Sequence, residues 1–180
     1  ITSEMRRTAK TVNFGIIYGI SPFGLSANLG VSLNEAKRYI DLYFEHYHGV
    51  KRFIDETLET ATEKGYVTTL FQRRRQIGEL SSRNSHKRGM GERLAVNTPI
   101  QGSAADIIKL AMVAIWRWMR QKKLKSKMTL QVHDELIFDV PRHEGDLMKE
   151  KVASLMEGVV TLKVPLKVDI GIGKNWSDAH

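Results

Sequence analysis

The stretch MTLQVHDELIFDV, from Met128 to Val140, is where the apolar pattern changes its period, and this change decides the class of the fold. Apolar residues alternate with polar ones on both sides of His133 and Asp134, as expected for two half-buried strands. Upstream, apolar residues recur three and four positions apart, which is typical of amphipathic helices. Helices followed by paired strands predict an α+β fold, with a small antiparallel sheet packed on helices.

The composition is that of a globular protein with an excess of positive charge. The chain has 180 residues, with 28 Lys and Arg against 20 Asp and Glu, and a formal net charge of +8. This balance favours a polyanionic partner, nucleic acid or nucleotide first, although a basic protein with solvated charges has the same composition. The lack of cysteine excludes a disulfide framework and a cysteine nucleophile. No apolar run is long enough to cross a bilayer, so we expect no membrane partner.

Apolar spacing divides the first half of the chain into three predicted helices. They cover residues 3–18, 33–47 and 50–64. A capping box at Ser32–Glu35 starts the second of them, and residues 66–71 are predicted to be extended. The polar, basic segment 72–91 is interpreted as a loop between two lobes. We therefore expect the chain to divide into residues 1–91 and 92–180.

The second half begins with a long helical pattern over residues 92–122. Pro99 interrupts this pattern, and we expect a bend there rather than a stop because it lies inside the helical row of Arg93, Asn97 and Gln101. After the predicted hairpin, a helix over residues 144–157 and a strand at Leu166–Ile172 complete the chain.

Four side chains at four-residue spacing form a stripe on the first predicted helix. Arg6 and Lys10 are cationic, whereas Phe14 and Tyr18 are aromatic. Residues four apart share one helix face, so the stripe is cationic toward the N-terminus and aromatic toward the C-terminus. A nucleoside triphosphate has a matching layout, with charged phosphates at one end and a flat base at the other. Spacing alone leaves an alternative open, in which both rings lie in the core.

Three consecutive titratable residues, His133, Asp134 and Glu135, lie between the two predicted strands. Asp is common in hairpin turns for backbone reasons, so one interpretation is purely structural. An exposed carboxylate on a rigid turn also suits Mg²⁺, which takes one or two protein carboxylates and completes its shell with water and phosphate. A His-Asp metal hydrolase is another alternative, but it needs further clustered histidines, and the remaining ones are scattered.

Arg93, Asn97 and Gln101 form a third row at four-residue spacing, and all three side chains donate hydrogen bonds. Every base pair presents acceptors in the minor groove, so such a row suits contact with paired bases without reading their sequence. The alternative is that Asn97 caps a helix end near Pro99 while Arg93 lies in solvent.

These stretches together resemble family A DNA polymerases of the bacterial DNA polymerase I type. Three motifs carry the resemblance: Arg6-Arg7-x-x-Lys10-x-x-Asn13-Phe14-Gly15-x-x-Tyr18-Gly19, Arg93-x-x-x-Asn97-x-Pro99-x-Gln101-Gly102 and Gln131-Val132-His133-Asp134-Glu135. They occur in the order found in the family, and the closing Gly173-x-Asn175-Trp176 is similar too. The resemblance spans the whole chain. It implies a helical fingers part over residues 1–91, followed by the second half of the palm, with its small sheet, over residues 92–180.

The resemblance implies that residues 3–18 form the nucleotide-binding helix. Arg6 and Lys10 would bind the phosphates of the incoming dNTP. Phe14 would lie against its sugar and base, and Tyr18 would stand beside the templating position. Phe rather than Tyr at position 14 is linked in the family to rejection of dideoxynucleotides, because a phenyl ring cannot replace the missing 3′-hydroxyl interaction.

The resemblance also implies a catalytic set of Lys10, Asp134 and Glu135. Asp134 would bind the catalytic metal with Glu135 beside it, and His133 would touch the 3′ end of the primer. Three further residues would line the minor groove of the nascent duplex: Arg93, Asn97 and Gln101.

The implied activity is that of a DNA-directed DNA polymerase acting in replication or repair. Its cofactor would be Mg²⁺, with Mn²⁺ as an alternative, and its partners would be primer-template DNA and dNTP. The full-length enzyme would be monomeric, bacterial, cytoplasmic and nucleoid-associated. The family's other metal-binding Asp precedes this sequence, and no stretch here resembles its motif. We therefore expect this chain to be inactive alone.

Two other functions are kept for comparison. A non-catalytic nucleic-acid-binding module would bind DNA in a salt-sensitive manner and would not respond to dNTP. A His-Asp metal phosphohydrolase would bind transition metals tightly and release phosphate from nucleotides.

Overall fold

The computed structural model describes residues 1–179, which form two compact units. The first unit is Ile1–Ser103, and the second begins at Ala104. Within the described residues there are seven α-helices and four short strands, so the predicted α+β class is confirmed. No helix of this described part combines the length and the apolar character that a membrane span requires.

Four helices make up the first part of the first unit. They are α1 (Ser3–Ile17), α2 (Pro22–Leu29), α3 (Leu33–His46) and α4 (His48–Lys64). The predicted capping box forms at the start of α3, where the Ser32 hydroxyl and the Glu35 carboxylate each accept a backbone N–H of the other residue. Helix α2 lies between the first two predicted helices and was not predicted from the apolar spacing. The Ser21 hydroxyl caps this helix, and Pro22 opens it.

The segment predicted as a loop over residues 72–91 is largely structured. Strands β1 (Tyr66–Thr68) and β2 (Arg74–Gln76) form an antiparallel hairpin, and a 3₁₀ helix follows at Gly78–Ser81. Helix α5 (Ser85–Asn97) begins within the segment because the Asn84 side chain caps it, accepting the backbone N–H groups of two residues in its first turn.

Helix α5 belongs to the first unit, so the two compact units divide after Ser103 and not after residue 91, where the sequence suggested a boundary. The physical reason is a shared core, since Ala95 of α5 is buried with Ala61 of α4, Val67 of β1 and Ile77. Burying these side chains together stabilises α5 against α4 and the hairpin.

The helical path continues past Pro99, as predicted. It runs through a π-helical turn at Thr98–Gly102 before α6 begins at Ser103 and reaches Lys122. Proline has no backbone N–H to donate, and a wider turn is one way in which a helix accommodates such a gap. Such π turns are rare and often lie at functional sites.

The second unit contains the predicted hairpin. Strands β3 (Lys127–Val132) and β4 (Glu135–Asp139) pair antiparallel, and α7 (Gly145–Glu157) follows. One face of the hairpin packs on α6 and α7 through a cluster of buried side chains: Ile115, Trp118, Met119, Met148 and Val152. The sheet is therefore small, antiparallel and packed on helices, as expected from the change of period.

The predicted strand at Leu166–Ile172 is wrong, because residues 161–173 contain no regular strand pairing. Alternating apolar residues make a strand possible, but a strand also needs a neighbour for its backbone hydrogen bonds. Here the Val168 N–H donates instead to the Glu157 carboxylate at 3.1 Å.

Candidate functional site

The four stripe residues of α1 all lie on its exposed side. Ile16 is the buried residue of this helix, and it lies on a different face from the stripe. Phe14 and Tyr18 keep 44% and 41% of their surface exposed. The alternative in which both rings are core residues is therefore wrong, and α1 presents its charged and aromatic groups to solvent.

Contacts along α1 link the charged end of the stripe to its aromatic end. The Lys10 Nζ lies 6.0 Å from the centroid of the Phe14 ring, within the range of a cation–π interaction. The rings of Phe14 and Tyr18 stack with their centroids 6.3 Å apart and their planes only 15° apart. The stripe therefore has parallel aromatic faces next to a cation, which suits a flat base attached to phosphates.

A hydrogen bond from α3 holds α1 in the orientation that exposes this stripe. The Tyr43 hydroxyl donates to the Asn13 Oδ1 at 2.8 Å, and the Tyr43 ring packs against Tyr47 with centroids 4.9 Å apart. Burial, followed by the neighbouring Tyr47, raises the pKa of Tyr43, so this hydroxyl remains a donor at neutral pH. The sequence pattern did not reveal this link, because Tyr43 and Asn13 are 30 positions apart.

The C-terminal end of α1 meets the third candidate row inside the first unit. Gly19 has a φ of +75°, and a Cβ atom built on it would lie 3.1 Å from the Arg93 Cγ. The aliphatic part of Arg93 therefore packs on the glycine backbone beside Tyr18. The sequence placed these two stretches in different lobes, whereas the structure brings them into contact.

The three residues of that row differ in their surroundings. Arg93 and Gln101 are exposed, whereas Asn97, the last residue of α5, is partly buried. The Asn97 Oδ1 is buried and has no hydrogen-bond partner within residues 1–179. Asn97 does not cap the helix end as the alternative supposed, because the helical path continues through the π turn.

The acidic turn lies in the second unit. His133 and Asp134 are exposed, and Glu135, which pairs with Val132 across the hairpin, is partly buried. His133 has a φ of +52°, in the left-handed region that non-glycine residues enter at a cost. Its carbonyl accepts the Gln131 Nε2 at 2.9 Å. The Asp134 side chain lies exposed in this short turn.

The donor set of this turn fits one part of a metal site. No group of three His, Asp or Glu residues suitable for holding a metal occurs within residues 1–179. Asp134 with the adjacent Glu135 nevertheless presents hard carboxylate oxygens at an exposed turn, and Mg²⁺ binds with as few as one or two protein carboxylates. These residues fit as one contribution to a magnesium site and not as a complete one.

Comparisons with known proteins identify the family of this chain. Residues 1–178 match DNA polymerase family A. The chain is 53% identical over 179 residues to DNA polymerase I of Bacillus subtilis, covering 99% of this chain and 20% of that protein. It is 50% identical over 176 residues to DNA polymerase I of Caldicellulosiruptor bescii, covering 98% of this chain and 21% of that protein. The chain thus spans about a fifth of the length of these relatives.

A solved structure is similar over the same extent. The POL domain of Pol1 from M. smegmatis, in complex with a DNA primer-template and dNTP, matches with a TM-score of 0.96 and 40% sequence identity. The match covers 99% of this chain and 32% of that one.

Proposed function

The chain belongs to DNA polymerase family A, and from this membership we propose that it is part of the catalytic domain of a DNA-directed DNA polymerase. In the proposed reaction, the 3′-oxygen of a primer attacks the α-phosphorus of a dNTP while the bond to the β-phosphate oxygen breaks. Pyrophosphate leaves, and the hydroxyl proton passes to solvent. Residues 1–91 are proposed to belong to the fingers and residues 92–180 to the palm. A monomeric, cytoplasmic enzyme remains our expectation.

The observation that carries this proposal is the exposed stripe of α1. In the proposed complex, Arg6 and Lys10 bind the dNTP phosphates, and Phe14 lies against the sugar and base. Tyr18 stands next to the templating base. Parallel rings with a cation beside them support this orientation, because they place a flat aromatic surface next to a positive charge.

The acidic turn of the second unit has a proposed role of its own. Asp134 is proposed to hold Mg²⁺, or Mn²⁺ in its place, with Glu135 beside it, and His133 is proposed to touch the primer terminus. When bound, the metal would neutralise phosphate charge and lower the pKa of the primer hydroxyl. One carboxylate cluster offers few ligands for two such ions, so turnover is proposed to need the second metal-binding Asp that the family resemblance implies.

The row on α5 and the π turn supplies the proposed DNA contacts. Arg93, Asn97 and Gln101 are proposed to donate hydrogen bonds to the minor groove of the new duplex. The exposure of Arg93 and Gln101 supports this, as does the contact of Arg93 with the end of the nucleotide helix at Gly19. Primer-template DNA and dNTP would then bind on connected parts of the first unit.

Replacing Lys10 tests the proposal in the complete enzyme, meaning this chain joined to the preceding segments of its relatives. A lost charge-assisted phosphate contact of roughly 1.5–3 kcal/mol corresponds to a rise of about 10- to 100-fold in the dNTP KM. Lys10→Ala should show that rise in steady-state extension assays, with little change in the Kd for primer-template.

Lys37 is an exposed lysine on α3, so Lys37→Ala is the matched control. It should leave the dNTP KM and the Kd for primer-template unchanged. Equal losses of dNTP and DNA binding in Lys10→Ala would contradict the assignment of this residue to the nucleotide. Salt-sensitive DNA binding without any response to dNTP would instead support the non-catalytic module.

A further inference from the structure

The β1–β2 hairpin, residues 66–76, is docked on the π turn at Thr98–Gly102, and we call it the hairpin brace. Two arginines of the brace donate to this turn. The Arg73 Nη2 donates to the carbonyl of Gly102 at 3.1 Å, and the Arg75 Nη1 donates to the Thr98 Oγ1 at 3.3 Å. Arg73 and Arg75, which belong to the basic segment interpreted as a loop from the sequence, thus make hydrogen bonds within the protein.

Arg74, between them, behaves differently because successive residues of a strand point to opposite faces. Its guanidinium lies 4.7 Å from the centroid of the Tyr66 ring, on the same hairpin. Arg73 and Arg75 therefore share the face that meets the π turn, whereas Arg74 stays on the brace itself.

Buried polar groups complete the contact between the brace and the turn. The Ser103 Oγ accepts the Leu70 N–H at 2.8 Å and donates to the carbonyl of Pro99. Ser103 and Thr98 are both buried, so these bonds lie away from solvent, where an unpaired polar group is costly. The brace thus satisfies polar groups of the π turn.

Packing is equally close at the other end of the turn. A Cβ atom built on Gly102 would lie 2.8 Å from the Thr69 Cγ2. This distance is too short for two carbon atoms, so a side chain at position 102 would displace Thr69 or the turn. Contacts at both Thr98 and Gly102 hold the turn at its two ends. Gln101 lies between these ends, and Asn97 directly precedes them.

We propose that the hairpin brace positions Asn97 and Gln101, with Arg75 and Thr98 as the positioning pair. This inference rests on the proposed function, in which those two side chains contact the newest base pairs. Arg75 then contributes to the choice between matched and mismatched primer ends by fixing the π turn, without touching DNA. Arg74, one residue away with the same charge, has no such role.

The test compares Arg75→Gln, Thr98→Val and their double variant with Arg74→Gln in the complete enzyme. The readout is the ratio of kcat/KM for extending a matched and a mismatched primer end, together with the Kd for primer-template and its salt dependence. Arg75→Gln and Thr98→Val should each lower the ratio by about 3- to 10-fold, as expected for the loss of a partly buried hydrogen bond. The double variant should lower it no further than Thr98→Val alone, because Thr98→Val already removes the Arg75 bond together with the bond from the Thr98 hydroxyl to the Leu94 carbonyl.

Arg75→Lys is the second variant. It keeps the positive charge but replaces the planar guanidinium, so it separates the effect of charge from the effect of hydrogen-bond geometry. If Arg75 positions the turn, Arg75→Lys resembles Arg75→Gln, and Arg74→Gln leaves the ratio unchanged. If the three arginines bind phosphates instead, Arg74→Gln and Arg75→Gln both reduce the salt dependence of DNA binding, and Arg75→Lys resembles the unsubstituted enzyme. That second pattern overturns the inference.

Failure of the proposed function gives a different result. An unsubstituted complete enzyme that extends no primer overturns the polymerase assignment and the brace together. An active enzyme in which Asn97→Ala lowers the matched-to-mismatched ratio, but Arg75→Gln and Thr98→Val do not, overturns the brace alone.

Discussion

Gly19 and Arg93 are in contact. This contact joins the C-terminal end of α1, the helix proposed to bind dNTP, to the row Arg93, Asn97 and Gln101, which is proposed to bind DNA. The φ of Gly19 is +75°, and the Arg93 Cγ occupies the space next to its missing Cβ, at 3.1 Å from where that atom would be. A glycine is required here for its backbone conformation and for the close approach of a side chain. The surface proposed to bind dNTP and the surface proposed to bind DNA are thus in contact through Arg93.

Replacing Gly19 should therefore affect both stability and activity. Gly19→Ala should lower the free energy of unfolding by about 1–2 kcal/mol, the cost of a left-handed conformation for an L-residue. The new methyl group should also displace Arg93 and reduce primer extension in the complete enzyme. Urea unfolding and extension kinetics measure the two effects.

Gly65→Ala is the matched control for this substitution. Gly65 has nearly the same φ, +74°, but no atom lies within 4 Å of the position that a Cβ would take on it. The Gly65→Ala variant should lose similar stability and keep its extension rate. Equal losses of activity in both variants would show that instability, and not the Arg93 contact, is responsible.

A change at Phe14 should alter the choice between deoxy and dideoxy substrates. Phe14→Tyr should raise the relative use of ddNTP by roughly 10-fold or more, as expected for one hydrogen bond to a charged group. Competition between dNTP and ddNTP in primer extension by the complete enzyme measures this ratio. Phe23→Tyr adds the same hydroxyl to an exposed ring on α2 and should change nothing. Unchanged discrimination in Phe14→Tyr would remove Phe14 from the sugar-binding position.

Removing the carboxylate of the acidic turn should separate turnover from binding. Asp134→Ala in the complete enzyme should reduce extension by roughly 100-fold or more, since metal stabilisation of the transition state is worth several kcal/mol. Duplex binding should stay within about 2-fold, because Asp134 carries no positive charge for phosphate. Asp139→Ala, an exposed carboxylate at the far end of β4, is the control. Substantial extension by Asp134→Ala would refute its role as a metal ligand.

The stability of the second unit should depend on pH through Glu144. Its carboxylate accepts the Lys125 N–H at 2.9 Å and both the hydroxyl and N–H of Ser126, and these bonds lower the pKa of Glu144 from its ordinary range. A lowered pKa means that its stabilisation is complete above the ordinary pKa and is lost as pH falls through the folded one. Glu144→Gln should thus be less stable than the unsubstituted chain at pH 7.

This difference should shrink as the pH falls below about 4, where the unsubstituted carboxyl becomes protonated as well. Urea unfolding of the chain at several pH values measures the difference. Glu150→Gln, on an exposed part of α7, should show no difference at any pH. A constant penalty for Glu144→Gln down to pH 3 would mean that its charge is not what stabilises the start of β3.

Local chemistry made several features predictable from the sequence. The Ser32–Glu35 capping box, the helix end at Gly65 and the hairpin turn at His133 depend on residues within a few positions of one another. The sequence therefore contains the information needed to place them. The identity of the stripe residues was predictable for the same reason, but their exposure was not, because spacing does not show which helix face is covered.

Long-range contacts explain what the sequence did not reveal. Arg75 bonds to a residue 23 positions away and Arg73 to one 29 positions away, so their local pattern shows only positive charge. The partner of Asn13, Tyr43, lies 30 positions away. The wrong strand prediction at Leu166–Ile172 has a related cause. The alternation there is suitable for a strand, but no strand within residues 1–179 pairs with it.

The hairpin that carries Asp134 has only two strands, and such hairpins are marginal in water by themselves. Its rigidity must come from side chains such as Phe138, which packs against the buried cluster that includes Trp118 and Met148. Heating should therefore loosen the acidic turn together with this apolar layer rather than ahead of it. The temperature up to which the Asp134 carboxylate keeps its position should therefore depend on the packing of methionine and tryptophan side chains that lie away from the turn.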